Sequence, residues 1–285
     1  MVARLVEIDN AEAPELDSYL RLRDRDIARS DGLFVAEGEV VVRVLASVRQ
    51  THFRVRSLLI EQRRVEAIRD VLETLEEHVI AFVVPQAVMD TAVGFAIHRG
   101  ILALGERGPG RAPAALLADP PGATRGGPIA VGLIGLTNHD NVGSVFRNAA
   151  AFGARGVLLD PATCDPLYRK AIRVSVGAAV VVPFARCDSA DEMLTIIADA
   201  GWEAVALSGR GDETLDAVMR DALPPGKGRV LLLGTEGDGL PDAVLAKTRR
   251  VRIDMAPTLD SLNVAVASGI ALYEATRSSQ RASTR

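Results

Sequence analysis

Aromatic residues make up only 4% of the 285-residue chain. So sparse a set cannot furnish the row of stacking platforms on which many proteins lay out single-stranded nucleic acid. Cysteine is scarcer still: Cys164 and Cys187 are the only two, and with four scattered histidines no metal-ligand spacing arises. No metal is expected, and both thiols are expected to be free in a reducing compartment. No run of 18 apolar residues occurs, and the N-terminal Met-Val-Ala-Arg-Leu-Val-Glu-Ile-Asp lacks the apolar core of a signal peptide. A soluble, cytoplasmic protein without a membrane partner is therefore expected. Lysine stands only at 170, 227 and 247, so the 33 basic residues are mostly Arg; against 37 acidic residues they leave a net charge of −4. No overall positive field announces a nucleic acid, and such a partner would need a local basic patch. Arg suits bidentate phosphate contacts better than Lys, although a GC-rich genome explains the bias as simply.

What is present is organised in two parts. Residues 107–127 concentrate Pro and Gly as nowhere else, which marks a linker between a domain at 1–106 and another at 128–285. The first part alternates helix and strand patterns: helices over 16–29, 37–48 and 63–76, strands at Val55–Ile60, Val79–Val84 and Ile101–Leu104, and a short helix opened by Pro85. This is a small α/β domain. In the second part, Ile129–Leu136, Gly156–Leu159, Ala179–Pro183, Glu203–Leu207, Val230–Gly234 and Val251–Met255 are short apolar runs. Helix patterns such as Val142–Phe152 and Ser189–Ala200 separate them. Strands apolar on both faces and separated by helices imply a mostly parallel sheet covered on both sides. Ligands of such sheets bind beyond the carboxyl ends of the strands.

Three polar loops fall at those ends. The first, Asn138-His139-Asp140-Asn141-Val142-Gly143-Ser144-Val145-Phe146-Arg147-Asn148, puts Asn141 at a plausible helix start, where it can cap free backbone N–H groups. Arg147 follows one and a half turns on, with a side chain long enough to lean back toward the same helix mouth. The second, Gly234-Thr235-Glu236-Gly237-Asp238-Gly239-Leu240-Pro241, is glycine-rich, but its spacing is not that of a dinucleotide fingerprint. Its acidic Glu236 and Asp238 would repel a pyrophosphate and suit a ligand with hydroxyls and a positive charge. The third, Asp260-Ser261-Leu262-Asn263, opens a helix rich in Ala, Ser and Gly, where Ser and Asn are ordinary caps and the slim helix allows close packing.

In this order the trio resembles the three motifs of the SpoU/TrmH family of RNA ribose methyltransferases, within the SPOUT superfamily. The resemblance covers roughly the last 155 residues. It implies S-adenosyl-L-methionine as cofactor, a trefoil knot in the C-terminal domain and a homodimer. It implies Asn141, Arg147, Glu236, Ser261 and Asn263 as catalytic residues, with Arg147 handling the ribose hydroxyl. Gly234, Glu236, Gly237, Ile253, Met255 and Leu262 would hold the cofactor, Ile253 and Leu262 lining an adenine pocket. Asp254 stands where many members carry Pro. A bulky residue at Gly234 is expected to block the cofactor with little effect on the fold. Phe34-Val35-Ala36-Glu37-Gly38 resembles the family's substrate-binding domain, which is similar to a small ribosomal protein fold. The cationic stretch Tyr168–Ala178, with its Ser-x-Gly-Ala turn, is a candidate for facing phosphates, whereas Arg21, Arg23, Arg25 and Arg29 alternate with acids and read as a self-paired surface.

The expectation is a methyltransferase acting on a ribose 2′-hydroxyl in rRNA or tRNA. A non-catalytic RNA-binding or ribosome-assembly protein retaining the fold is the alternative, and a metabolic α/β enzyme using another nucleotide is a third.

Overall fold

The computed structural model describes residues 3–20, 32–47, 53–93, 100–118, 129–224, 226–235, 237–256, 258 and 261–283. The arginine cluster at 21–29 and the candidate Glu236 lie outside the described residues. The chain divides into two compact units, one of residues 1–109 and 167–181, the other of 110–166 and 182–285.

In the first unit, β1 (Arg4–Glu7), β2 (Leu33–Glu37), β3 (Arg54–Glu61), β4 (Ile80–Val84) and β5 (Ile101–Glu106) form one sheet in the order β1-β4-β3-β5-β2. β1, β4 and β3 run parallel, while β5 is antiparallel to both β3 and β2. Its helices are α1 (Asp17–Leu20), α2 (Glu39–Ser47), α3 (Arg69–Thr74) and α4 (Gln86–Val93). One face of the sheet, through Val35, Leu59, Phe82 and Leu102, closes over Leu16, Tyr19 and Met89. The buried Tyr19 hydroxyl meets Ser57 Oγ at 2.7 Å, which satisfies both groups. The helix expected over 63–76 is instead two 3-10 turns, Gln62–Arg64 and Glu66–Ile68, followed by α3. Ile68, at φ −125° and ψ 20°, interrupts the helical path.

The second unit begins with α5 (Pro113–Ala118), a helix inside the stretch expected to be linker. Its sheet holds β6 (Ile129–Leu133), β7 (Val157–Leu159), β8 (Phe184–Arg186), β9 (Glu203–Leu207), β10 (Glu213–Thr214), β11 (Arg229–Leu233) and β12 (Arg249–Arg252). All pairings are parallel, in the order β10-β12-β9-β11-β6-β7-β8. Between the strands lie α6 (His139–Ala151), α7 (Arg169–Val174), α8 (Ala178–Val181), α9 (Ala190–Asp199), α10 (Leu215–Arg220) and α11 (Asp242–Leu245), and α12 (Val264–Ser283) follows. Ala130, Val230 and Leu232 on one face of the sheet pack with Leu116, Met193, Ile197 and Val244. Their neighbours of opposite parity, Val131, Leu133, Leu231 and Leu233, are buried too, since α12 packs over β11 and against α6. Burial on both faces is why these strands read as unbroken apolar runs rather than alternating ones.

The strand expected at Ala179–Pro183 is a helix and a turn. Gly177, at φ +84°, reverses the chain, and Ser175 Oγ accepts from the Ala179 N–H at 3.2 Å, which starts α8; the strand begins only after Pro183. A short apolar run cannot distinguish the two by periodicity. α7 and α8 belong to the first unit, where α7 packs on β2 and Arg169 lies 3.8 Å from Glu37.

The starting edge of the larger sheet carries an ion network. Arg249 reaches Glu203 at 3.1 Å, Glu213 at 2.6 Å and Asp221 at 2.7 Å, and Arg229 binds Glu203 at 2.7 Å. The hydrogen bond from Arg249 holds the Glu213 carboxyl below its usual range. A depressed folded pKa gives stability that is complete above the unfolded value of about 4.3 and is lost as pH falls through the folded value. Arg249→Met is therefore expected to lower the urea midpoint at pH 7, with the deficit relative to the parent shrinking between pH 5 and pH 3. A deficit independent of pH would contradict the pairing.

Candidate active site

The site is built at the carboxyl ends of β6 and β11, neighbours at the centre of the sheet. Beyond β6 the chain turns through Gly135, at φ +73°, and enters α6. The cap of that helix is Asn138, whose Oδ1 accepts from the Asp140 N–H at 2.9 Å, and not Asn141 as expected. The helix starts earlier because Asn138 already satisfies its first free donors. Asn141 thereby falls within the first turn, where it is only 6% exposed.

That placement gives Asn141 a different task. Asn263 Nδ2 donates to Asn141 Oδ1 at 3.1 Å, across 122 residues of sequence. The other end of the same carboxamide caps α12, with Oδ1 accepting from the Ala265 N–H at 2.9 Å and more weakly from Val266 at 3.4 Å. The reading of Asn263 as a helix cap is correct, and its remaining donor joins the third loop to the first.

Two turns further along α6, on the same face as Asn141, Asn148 Nδ2 donates to the Ala265 carbonyl at 2.8 Å and lies 2.9 Å from Ser268 Oγ. A Cβ on Gly269 would stand 3.3 Å from Asn148 Nδ2. The small residues of α12 thus admit α6 of the same chain. Neither Asn148 nor Ser268 was selected from sequence, although the seven-residue step from Asn141 to Asn148 was the available signal.

The second loop touches the first where their strands end. Ile134 N–H bonds the Leu233 carbonyl at 3.0 Å, and a Cβ on Gly135 would come within 2.8 Å of Thr235 Cγ2. Thr235 pairs back on Gly239, so the chain closes a tight loop after β11. Gly237 and Gly239, at φ +98° and +73°, have nothing within 4 Å of a notional Cβ, leaving this backbone open to a ligand. Gly234 differs: a Cβ there would lie 2.4–2.5 Å from the backbone of Gly239 and Leu240. A bulky side chain at Gly234 would first disrupt the loop itself, which corrects the expectation that the fold would hardly notice.

The remaining described candidates are exposed or half-buried. Arg147 and Ser261 are exposed, and Arg147 makes no hydrogen bond or ion pair among the described residues. Leu262 is 36% exposed, and Ile253 and Met255 beyond β12 are half-buried. Asp254 pairs with Arg252 at 3.0 Å. Burial pushes the Cys164 thiol up to about 11 and the Cys187 thiol to about 12, so neither is an activated nucleophile. No cluster of His, Cys, Asp and Glu able to hold a metal occurs among the described residues, and no helix there is long and apolar enough to cross a membrane.

Sequence reasoning also missed a buried carboxylate. Asp160 Oδ1, at the end of β7, accepts from the Gly135 N–H at 3.0 Å, the Thr163 N–H at 2.8 Å and the Thr163 hydroxyl at 2.6 Å. An Asp followed three residues later by Thr after a strand is a turn signal. Its reach across to Gly135 needed the structure.

Residues 128–273, a span containing all three loops, match the model of the SpoU rRNA Methylase family. The chain is 35% identical over 283 residues to an uncharacterized tRNA/rRNA methyltransferase of Mycobacterium bovis, a match covering 95% of this chain and 92% of that protein. The SpoU methyltransferase AviRb of Streptomyces viridochromogenes, solved in complex with AdoMet, superposes with a TM-score of 0.75 at 25% identity, over 96% of this chain and 100% of that one. A crystal structure of an RNA 2′-O ribose methyltransferase does so with a TM-score of 0.73 at 25% identity, again over 96% and 100%. With three ordered loops at the ends of parallel strands, two of them joined through Asn141 and Asn263, and a match spanning all three, the chain belongs to the SpoU rRNA Methylase family.

Proposed function

We propose that this protein is an RNA methyltransferase that uses S-adenosylmethionine to methylate a ribose 2′-hydroxyl of rRNA or tRNA. The observation that carries the reading is the Asn263–Asn141 hydrogen bond, which joins the first and third loops, while the second meets the first where Gly135 abuts Thr235. The residues present fit the cofactor. Gly237 and Gly239 leave backbone accessible to a ribose and an amino-acid group, and Ile253, Met255 and Leu262 keep apolar surface exposed for an adenine. Gly234 keeps the loop closed behind them.

Bound S-adenosylmethionine supplies an electrophilic methyl group. The chain's own residues then hold the nucleotide and orient the hydroxyl oxygen that takes the methyl group. Arg147, exposed and without a hydrogen bond or ion pair among the described residues, is assigned to the hydroxyl and its adjoining phosphate through its planar fork of donors. Glu236 and Ser261 are assigned as polar partners of cofactor and ribose. Asn141 and Asn263 fix the mouth of the site, and rate enhancement rests largely on this positioning. Lys170 and Arg173, both exposed on α7, are assigned to RNA phosphates.

The wider reading includes a trefoil knot in residues 128–285, an RNA-binding domain in 1–106 similar to a small ribosomal protein fold, and a cytoplasmic location. It also includes a homodimer. Val266, Ile270 and Tyr273 on α12 are 52%, 38% and 53% exposed, a stripe at helical spacing, while Ser268, Ala271 and Leu272 on the same helix are buried. An exposed apolar stripe beside a packed face suits a second copy of the chain.

Incubation with methyl-labelled S-adenosylmethionine and RNA, followed by digestion to nucleosides and mass spectrometry, is expected to give label in 2′-O-methylnucleosides. Arg147→Ala should lower the single-turnover rate about a hundredfold with cofactor affinity changed only a few-fold. Label confined to bases, or an Arg147→Ala variant at the parental rate, would refute the corresponding assignment. Light scattering is expected to give a dimer at micromolar concentration, converted to monomer by Ile270→Asp; a parental monomer that methylates RNA would contradict the dimer.

A further inference from the structure

We propose that Asp160 and Thr163 are positioning residues for methyl transfer: their buried hydrogen bonds hold the chain between β6 and α6, and so set the place of Asn141. This rests on the proposed methyl-transfer reaction. The segment concerned, Gly135–Asn138, lies outside every helix and strand, yet it carries the loop that must present Asn141 to Asn263.

Asp160 and Thr163 are 7% and 2% exposed. The Asp160 carboxylate takes the Gly135 N–H, and Thr163 Oγ1 accepts the Leu136 N–H at 3.3 Å. The Thr163 hydroxyl lies 2.6 Å from Asp160 Oδ1 and 3.2 Å from the Leu133 carbonyl. Its one proton goes to the shorter, charge-assisted contact, which leaves its lone pairs facing Leu136. The Leu136 carbonyl in turn accepts from the Cys164 N–H at 2.8 Å. The loop after β7 is itself fixed: Arg186 on β8 donates to the carbonyls of Asp160 and Thr163 at 2.7 and 2.9 Å. The peptide N–H groups of Gly135 and Leu136 and the carbonyl of Leu136 are thus all tied to one buried turn.

Gly135 is also where this segment abuts Thr235 of the glycine loop. A displacement of Gly135 moves the entrance to α6 and presses on the loop assigned to the cofactor. A buried carboxylate with no cation on its carboxyl oxygens among the described residues is an expensive way to make a turn. Its three donors explain how it is held, and the position of the loop explains what it does.

The test uses the full-length protein and three variants. Asp160→Ala removes the acceptor, Asp160→Asn keeps an oxygen for the Gly135 N–H, and Thr163→Val keeps the shape but loses the hydroxyl. Amide hydrogen exchange needs no substrate. In Asp160→Ala, exchange at Gly135 and Leu136 is expected to rise at least tenfold, and in Asp160→Asn to stay within about threefold of the parent. At saturating S-adenosylmethionine, the single-turnover rate on RNA should fall at least tenfold in Asp160→Ala and stay within about threefold in Asp160→Asn. Thr163→Val should raise exchange at Leu136 and lower the rate, and it carries the test if Asp160→Ala does not fold. Parental exchange at both amides in Asp160→Ala, a parental rate despite raised exchange, or an Asp160→Asn variant as impaired as Asp160→Ala would each overturn the proposal. If the parent transfers no methyl group to RNA, the methyl-transfer reading fails by itself. The exchange comparison then decides alone whether the turn holds the loop.

Discussion

A single carboxamide holds the candidate active site together. Asn263 spends its oxygen on the first N–H groups of α12 and its nitrogen on Asn141, so the start of one helix is registered against the first turn of another. Asn148 repeats the arrangement two turns away, binding the Ala265 carbonyl and approaching Ser268 Oγ. Such closeness requires small residues, and Gly269 faces Asn148 with little room for a Cβ. The polar groups of the two helices are satisfied by each other, which makes the juxtaposition specific as well as stable.

The larger sheet separates two kinds of polar chemistry between its edges. At the starting edge, Arg229 and Arg249 with Glu203, Glu213 and Asp221 tie β9, β10, β11 and β12 to one another, an arrangement of stability. At the finishing edge, Asn141, Thr235, Asn263 and the turn around Asp160 shape the loops of the candidate site. Parallel strands make this division natural, since every strand begins at one edge and ends at the other. Gly132 shows how tight the interior between the edges is: a Cβ there would stand 2.5 Å from Leu232 Cδ2 and 2.9 Å from Met193 Sδ.

Much of this was legible in the sequence, because a short apolar run closed at once by a glycine-rich turn, such as Leu231–Leu233 before Gly234, matches a buried strand in length and in its flanking residues. The glycine loop and the Ser-Leu-Asn segment could likewise be placed at strand ends from order alone. Ala179–Pro183 misled because alanine and valine suit either element, and the side chain that decided the matter was Ser175. Asn141 misled because two asparagines three residues apart can both cap, and Asn138 did. The Asp160–Gly135 and Asn148–Ser268 contacts join residues 25 and 120 positions apart, and no local pattern encodes such distances. β1 and β10 escaped notice as short edge strands, defined by their partners β4 and β12 more than by their own composition.

The central claim is that Asn141 and Asn263 act as one unit, and a double-mutant cycle in urea tests it most directly. Asn141→Ala, Asn263→Ala and the double variant should show a coupling free energy of about 1 kcal/mol, the scale of a satisfied hydrogen bond between residues in contact. The Asn263→Ala loss should be the larger of the two, since it also removes the cap of α12. Losses that add to within about 0.3 kcal/mol would show that the two side chains stabilise the protein independently, contradicting the claim.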